Sequence, residues 1–183
     1  MAIKTFVSGE ILTASDTNTF LGNSGLVYVT QQTVGTAVAS VTVSSAFNTN
    51  YDNYVITMAG GQTSASAAYQ ISFGASTTAY YGSWYYDLYT GAGTGTLRRN
   101  NGANIQIGNT GSTTDGWASW QLFCGSPFKT ERTTVHGTSF GGGYAGWVAG
   151  AHDVAASYTS FVISVSTGTM TGGIITVFGY RKA

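Results

Sequence analysis

At 183 residues the chain has the length of one domain, and only 8% of it is charged, with seven Lys and Arg cancelling seven Asp and Glu. Ordinary soluble domains carry about 25% charged residues. The balance leaves no basic field to draw a nucleic-acid backbone or an anionic membrane surface, and no run approaches the roughly 18 apolar residues of a membrane-spanning helix.

Ser, Thr, Asn and 26 glycines fill the polar positions, and aromatic residues reach 14%. A surface so short of ionised groups suits a subunit covered by copies of itself or by neighbours. A secreted β domain with a neutral Ser/Thr-rich surface would share the composition. The lone cysteine, Cys124, excludes an intrachain disulfide and reads as a buried thiol. The opening MAIKTFVSGE lacks the apolar core of a signal peptide, so synthesis in the cytoplasm without secretion is expected.

Residues 2–7 read as a short strand or extended arm, broken at Ser8-Gly9. Thr13 stands three residues before Asp16 in a capping-box arrangement, predicting about two helical turns from Ala14 to Leu21. Gly22 or Gly25 would stop that helix. Phe20 and Leu21 are its large apolar groups, so it should dock on something rather than build a core.

From Leu26 onward every segment reads as strand or turn. Ala39, Val41 and Val43 alternate with Ser40, Thr42 and Ser44; Tyr54, Ile56 and Met58 share one face, as do Tyr69, Ile71 and Phe73. Ala79–Tyr89 is an aromatic strand, with Trp84, Tyr86 and Leu88 on one side and Tyr85, Asp87 and Tyr89 on the other. Gly91–Gly95 reads as a loop, and Arg98-Arg99 as part of a turn ending at Gly102. Ile105 and Ile107 mark a short strand before a polar loop from Asn109 to Gly116. Trp117–Cys124, Glu131–Phe140 and Tyr144–Val148 precede a closing pair of runs. In that pair Phe161, Ile163 and Val165 alternate with polar neighbours, while Ile174–Tyr180 is apolar on both faces. The pair is expected to form a hairpin whose second strand is covered from both sides. About ten short strands with frequent turns predict an all-β fold, an antiparallel β-sandwich of jelly-roll-like kind, eight strands with decorated loops, over residues 26–183. Residues 1–25 form a separate arm and short helix.

Chemical motifs are few. Gly137-Thr138-Ser139-Phe140-Gly141 fits G-x-S-x-G, but a nucleophile elbow needs a helix after the strand, and Gly142-Gly143 follows instead. His136 and His152 have no second ligand at metal-binding spacing, and the carboxylates are scattered singly. No catalytic residue, metal or cofactor is expected. Lys129, Glu131 and Arg132 read as a solvated turn. In the aromatic strand, Tyr81, Trp84, Tyr85 and Tyr89 are candidates for a subunit interface or a glycan contact, with core burial of a two-sided strand as the third reading.

Three stretches carry a resemblance. Phe6-Val7-Ser8-Gly9-Glu10-Ile11-Leu12-Thr13-Ala14-Ser15-Asp16-Thr17-Asn18 resembles the opening of many virion proteins of tailed bacteriophages. Tyr51-Asp52-Asn53-Tyr54 looks like a strand of the same group, and Gly173–Ala183 is similar to its closing strand. The resemblance covers less than a third of the chain. It implies a structural virion protein, a fibre or decoration subunit on the outside of the particle, with a β-sandwich body that is often trimeric. It also implies attachment to other virion proteins through the N-terminal arm, for which Phe6, Leu12, Phe20 and Leu21 are the candidates. The alternative is a glycan- or receptor-binding module at the tip of such an appendage, meeting a host surface glycan.

Overall fold

The computed structural model describes residues 7–16, 25–89, 91, 93–110 and 117–182. Thr13 and Asp16 form the predicted capping box: the Thr13 hydroxyl donates to Asp16 Oδ2 at 2.6 Å and accepts from the Asp16 amide at 3.1 Å. It opens α1 (Ala14–Asp16), and the remainder of the predicted helix, with Phe20 and Leu21, lies outside the described residues, as does Phe6.

Thirteen strands follow. They are β1 (Leu26–Thr33), β2 (Ser40–Val43), β3 (Tyr51–Thr63), β4 (Ala67–Phe73), β5 (Tyr80–Leu88), β6 (Thr94–Gly102) and β7 (Ile105–Thr110). After them come β8 (Ala118–Gly125), β9 (Glu131–Gly141), β10 (Tyr144–Ala156), β11 (Phe161–Val165), β12 (Met170–Thr171) and β13 (Ile174–Arg181). A nine-stranded antiparallel sheet runs β1-β13-β3-β8-β9-β10-β5-β6, with β12 paired to β3 off that path. A four-stranded sheet, β2-β11-β4-β7, packs over it. The result is the expected all-β antiparallel sandwich, in unequal halves and with open sheets. No helix among the described residues is long and apolar enough to cross a membrane.

The core lies between the sheets. Tyr54, Ile56 and Met58 of β3, and Tyr69, Ile71 and Phe73 of β4, are buried as their alternation predicts. Phe47, just before β3, packs its ring against those of Tyr54, Phe73 and Phe161. At the other end Ile105 and Ile107 of β7 are buried in the same cluster as Trp84 and Val148. The long β9–β10 hairpin turns at Gly142 and Gly143, whose φ values of 58° and 81° are those a two-residue type I′ connection demands.

Several expectations are corrected. Phe161–Val165 and Ile174–Arg181 do not pair with each other: β11 lies between β2 and β4, whereas β13 lies between β1 and β3. The closing segment is therefore a crossover between the two sheets. Nor is β13 covered on both sides, because Ile174 and Tyr180 are exposed while Ile175 and Val177 are buried. Arg98 and Arg99 sit in the edge strand β6 rather than in a turn. Ala39 is exposed, and β10 continues eight residues beyond Val148 to Ala156. Lys129 and Arg132 are paired, Lys129 with Asp52 at 3.2 Å and Arg132 with Asp153 at 2.7 Å. Lys182 also reaches Asp52, at 2.7 Å, and these contacts hold the Asp52 carboxyl below its ordinary range, the Lys182 hydrogen bond most of all.

Candidate functional site

The strand register aligns the outward side chains of the nine-stranded sheet in rows that cross it. One row reads Thr176, Thr57, Gln121, Thr138, Trp147, Tyr85, Thr96, from β13 to β6. The next reads Phe178, Val55, Phe123, His136, Ala149, Ser83, Arg98. On either side lie a row from Tyr180 to Tyr81 and a row from Ile174 to Thr94. Because side chains alternate, these rows stand opposite the core. In all of them the ionised groups are few, Asp87 and Arg98 among them, and aromatic rings are many.

Two ridges rise from this face. Trp147 of β10 and Tyr85 of β5 are directly paired, and their rings stack with centroids 5.8 Å apart and planes 17° from parallel. Trp147 is 57% exposed and Tyr85 37%. The second ridge joins Phe123 to His136, 5.1 Å apart and nearly parallel, and to Tyr180 at 6.4 Å. A depression of about 520 Å³ lies between the ridges, bounded by Trp147, Gln121, Thr138, Phe123 and His136. Another of about 510 Å³ opens on the far side of Trp147, along Tyr85, Asp87, Thr94 and Thr96. Towards β1, Leu26, Tyr28 and Tyr180 form an exposed apolar margin, with Tyr28 edge-on to Phe178, and Ile174 is exposed at the other end of β13.

Of the residues singled out from sequence, Tyr81 and Tyr85 face out on β5, and Tyr89, just past its end, is 57% exposed. Trp84 does not belong with them. It is 1% exposed on the core side, stacked on Tyr86 at 4.5 Å, and its Nε1 donates to Ser139 Oγ at 3.2 Å. Alternation places it opposite Tyr85, so it cannot share a contact surface with that ring. Leu12 is 51% exposed in the N-terminal segment. Trp147 was missed. Its signal was the phase of Gly146 and Val148, which face the core and turn the intervening tryptophan outward.

The G-x-S-x-G string is the last five residues of β9, extended up to the turn into β10, with Ser139 buried, so no strand-to-helix elbow presents its hydroxyl. His136 points to the opposite face. His152 is buried in a box of rings, 4.1 Å from Tyr80 and 5.5 Å from Tyr158. Its Nε2 lies 2.9 Å from Ser76 Oγ and its Nδ1 3.0 Å from the Tyr158 hydroxyl. Burial pushes its pKa below 6.5, partly offset by a hydrogen bond to the Thr78 backbone. Burial likewise raises the Tyr80 hydroxyl to about 12, and it pushes the Cys124 thiol up. Among the described residues no three His, Cys, Asp or Glu side chains come together as metal ligands. No protein-family model, curated protein or solved structure matches the chain.

Proposed function

We propose that the chain is a structural subunit of a tailed-bacteriophage particle, a self-associating fibre or decoration protein on its outside, with no catalytic role. One observation carries the self-association: a whole sheet face that is aromatic, hydroxyl-rich and nearly free of charge. Eight strands about 4.8 Å apart and four rows about 7 Å apart make roughly 1,100 Å², more than the roughly 800 Å² each partner contributes to a standard interface, so a second copy need not cover all of it. The margin formed by Leu26, Tyr28 and Tyr180 is the part best suited to a second copy, since its exposed side chains are large and apolar. It also borders β1, where the chain leaves the N-terminal segment. The virion role itself is supported by the resemblance of residues 6–18 and 173–183, which further suggests a trimer and attachment through residues 1–25.

Light scattering on the purified chain tests this reading: a mass at an integral multiple of the monomer is expected, and a monomer at high concentration sinks it. A chain lacking residues 1–24 should keep a folded body and lose attachment to particles. A second reading, contact with a host glycan or receptor, is favoured by one feature, the paired rings of Trp147 and Tyr85.

A further inference from the structure

The Trp147–Tyr85 ridge differs from the rest of the outer face in shape. Elsewhere the exposed rings lie along the margin, whereas here two stacked, nearly parallel rings stand between depressions of about 520 and 510 Å³ that share Trp147 as a wall. Another protein surface needs a broad flat contact of roughly 800 Å². A ridge between two troughs fits a narrower ligand that lies across it.

The chemistry around the ridge narrows the ligand class. Gln121 and Thr138 project into one trough, Thr94, Thr96 and Asp87 into the other. Gln121 and the threonines both donate and accept hydrogen bonds, and the Asp87 carboxylate accepts them. Asp87 is the one carboxylate and His136 the one imidazole lining the two troughs, and neither is lined by a lysine or arginine. Arg98 stands a row away, opposite Ser83. A phosphate or carboxylate would therefore meet a carboxylate in one trough and no lysine or arginine in either. A neutral chain of hydroxyl-bearing rings would find apolar platforms for its C–H faces and polar partners at its edges.

We propose that Trp147 and Tyr85 form the stacking walls of a subsite for a neutral saccharide chain that lies across the ridge, with Gln121, Thr138, Thr96 and Asp87 as its hydrogen-bonding rim. This rests on the second of the two readings above and not on self-association, so the two can fail separately.

Native gels cast with soluble neutral polysaccharides (an α-glucan, a β-glucan, a mannan and a galactan), and with alginate as an anionic counterpart, test the proposal on the full chain. At least one neutral polymer is expected to retard the protein. Trp147→Ala should weaken that retardation by roughly tenfold or more, while Tyr85→Phe, which keeps the ring, should preserve most of it. Circular dichroism and light scattering on the same variants establish that fold and mass are unchanged. The proposal is overturned if no neutral polymer retards the chain, if alginate alone does, or if Trp147→Ala binds like the parent. A change of oligomeric mass in Trp147→Ala would also overturn it, by showing that a second copy covers the ridge. Monomeric parent protein that still binds would remove the self-association reading and leave this one standing.

Discussion

Both faces of the nine-stranded sheet are aromatic, and they differ in where the polar ends of the rings go. On the inner face Trp84 donates to Ser139, Tyr54 donates to the Asn48 carbonyl at 3.0 Å, and Tyr80 accepts from the Phe73 amide at 2.7 Å. These three rings are both packed and hydrogen-bonded within the chain, as burial favours, whereas Trp120 on the same face is packed with its Nε1 buried and without a partner. On the outer face Tyr28, Tyr85 and Trp147 pack only sideways, and each is more than a third exposed. One strand, β5, supplies both kinds, since Trp84 and Tyr85 are neighbours in sequence. The inner rings hold the fold together, whereas the outer ones contribute little to it and are open to the contacts proposed above.

The largest way to test that division is to remove an inner ring. Trp84→Ala empties a site that is closed on every side, and losses for such changes run to about 3–5 kcal/mol. For a chain of this size that is a fall of roughly 10 °C in melting temperature. A change of a degree or two would mean that Trp84 is not core. Filling space where none exists comes next. A Cβ on Gly137 would stand 2.0 Å from the Gln121 carbonyl oxygen, so Gly137→Ala forces β8 and β9 apart. The expected loss is about 1–3 kcal/mol by denaturant titration, and an unaffected midpoint would contradict the close approach.

How much of this division was legible in the sequence depends on the strand. Tyr54, Ile56 and Met58 share a face set off by Asn53, Thr57 and Ala59, and β3 could be assigned its inner face from that, although Val55 on the other side is equally buried. For β10 the pattern is weak, because Gly146, Ala149, Gly150 and Ala151 are too small to mark a face. The outward position of Trp147 rests locally on the phase of Gly146 and Val148 alone, and its pairing with Tyr85 emerges only when the register is known. Pairing was the harder matter. The segment from Phe161 to Tyr180 has the look of a hairpin, with two apolar runs and glycines between them. The chain instead crosses from one sheet to the other between β11 and β12, and Gly172 and Gly173, at φ 71° and 95°, turn it from β12 into β13 within the nine-stranded sheet. Local alternation says which side chains share a face and is silent on which strand lies alongside. Arg98 and Arg99 failed for a related reason: an edge strand with little to bury, here with even Leu97 exposed, leaves no alternation to read.

A smaller effect follows from pH. His152 is held neutral in its box of rings, so its folded pKa lies below 6.5. As pH falls below about 6.5 the unfolded chain takes up a proton that the folded chain refuses, and stability declines until the folded-state pKa is reached. Asp52, also depressed in pKa, acts in a lower window, losing its contribution only as pH falls past the carboxylate range. Melting temperatures should therefore drop between pH 7 and pH 5 in the parent. In His152→Gln that slope should flatten even though the variant starts lower. A slope that survives the substitution would place the titrating group elsewhere.

The smallest effect on stability, and the sharpest test of the comparison, belongs to the outer face. Tyr28→Glu and Trp147→Ala remove rings that pack on one side only, so each should leave the melting temperature within the range of about 0.5 kcal/mol expected of surface changes. Their functional effects should then separate. A charge at Tyr28, in the apolar margin along β1, should lower the mass seen in light scattering, because two copies meeting there would bury it without a partner. Loss of the Trp147 ring should leave that mass alone and reduce only retention by a neutral polysaccharide. If Tyr28→Glu unfolds the chain, or if both variants disturb mass and retention together, the outer face is one continuous surface with one occupant. The contrast between its margin and its ridge would then be geometrical only.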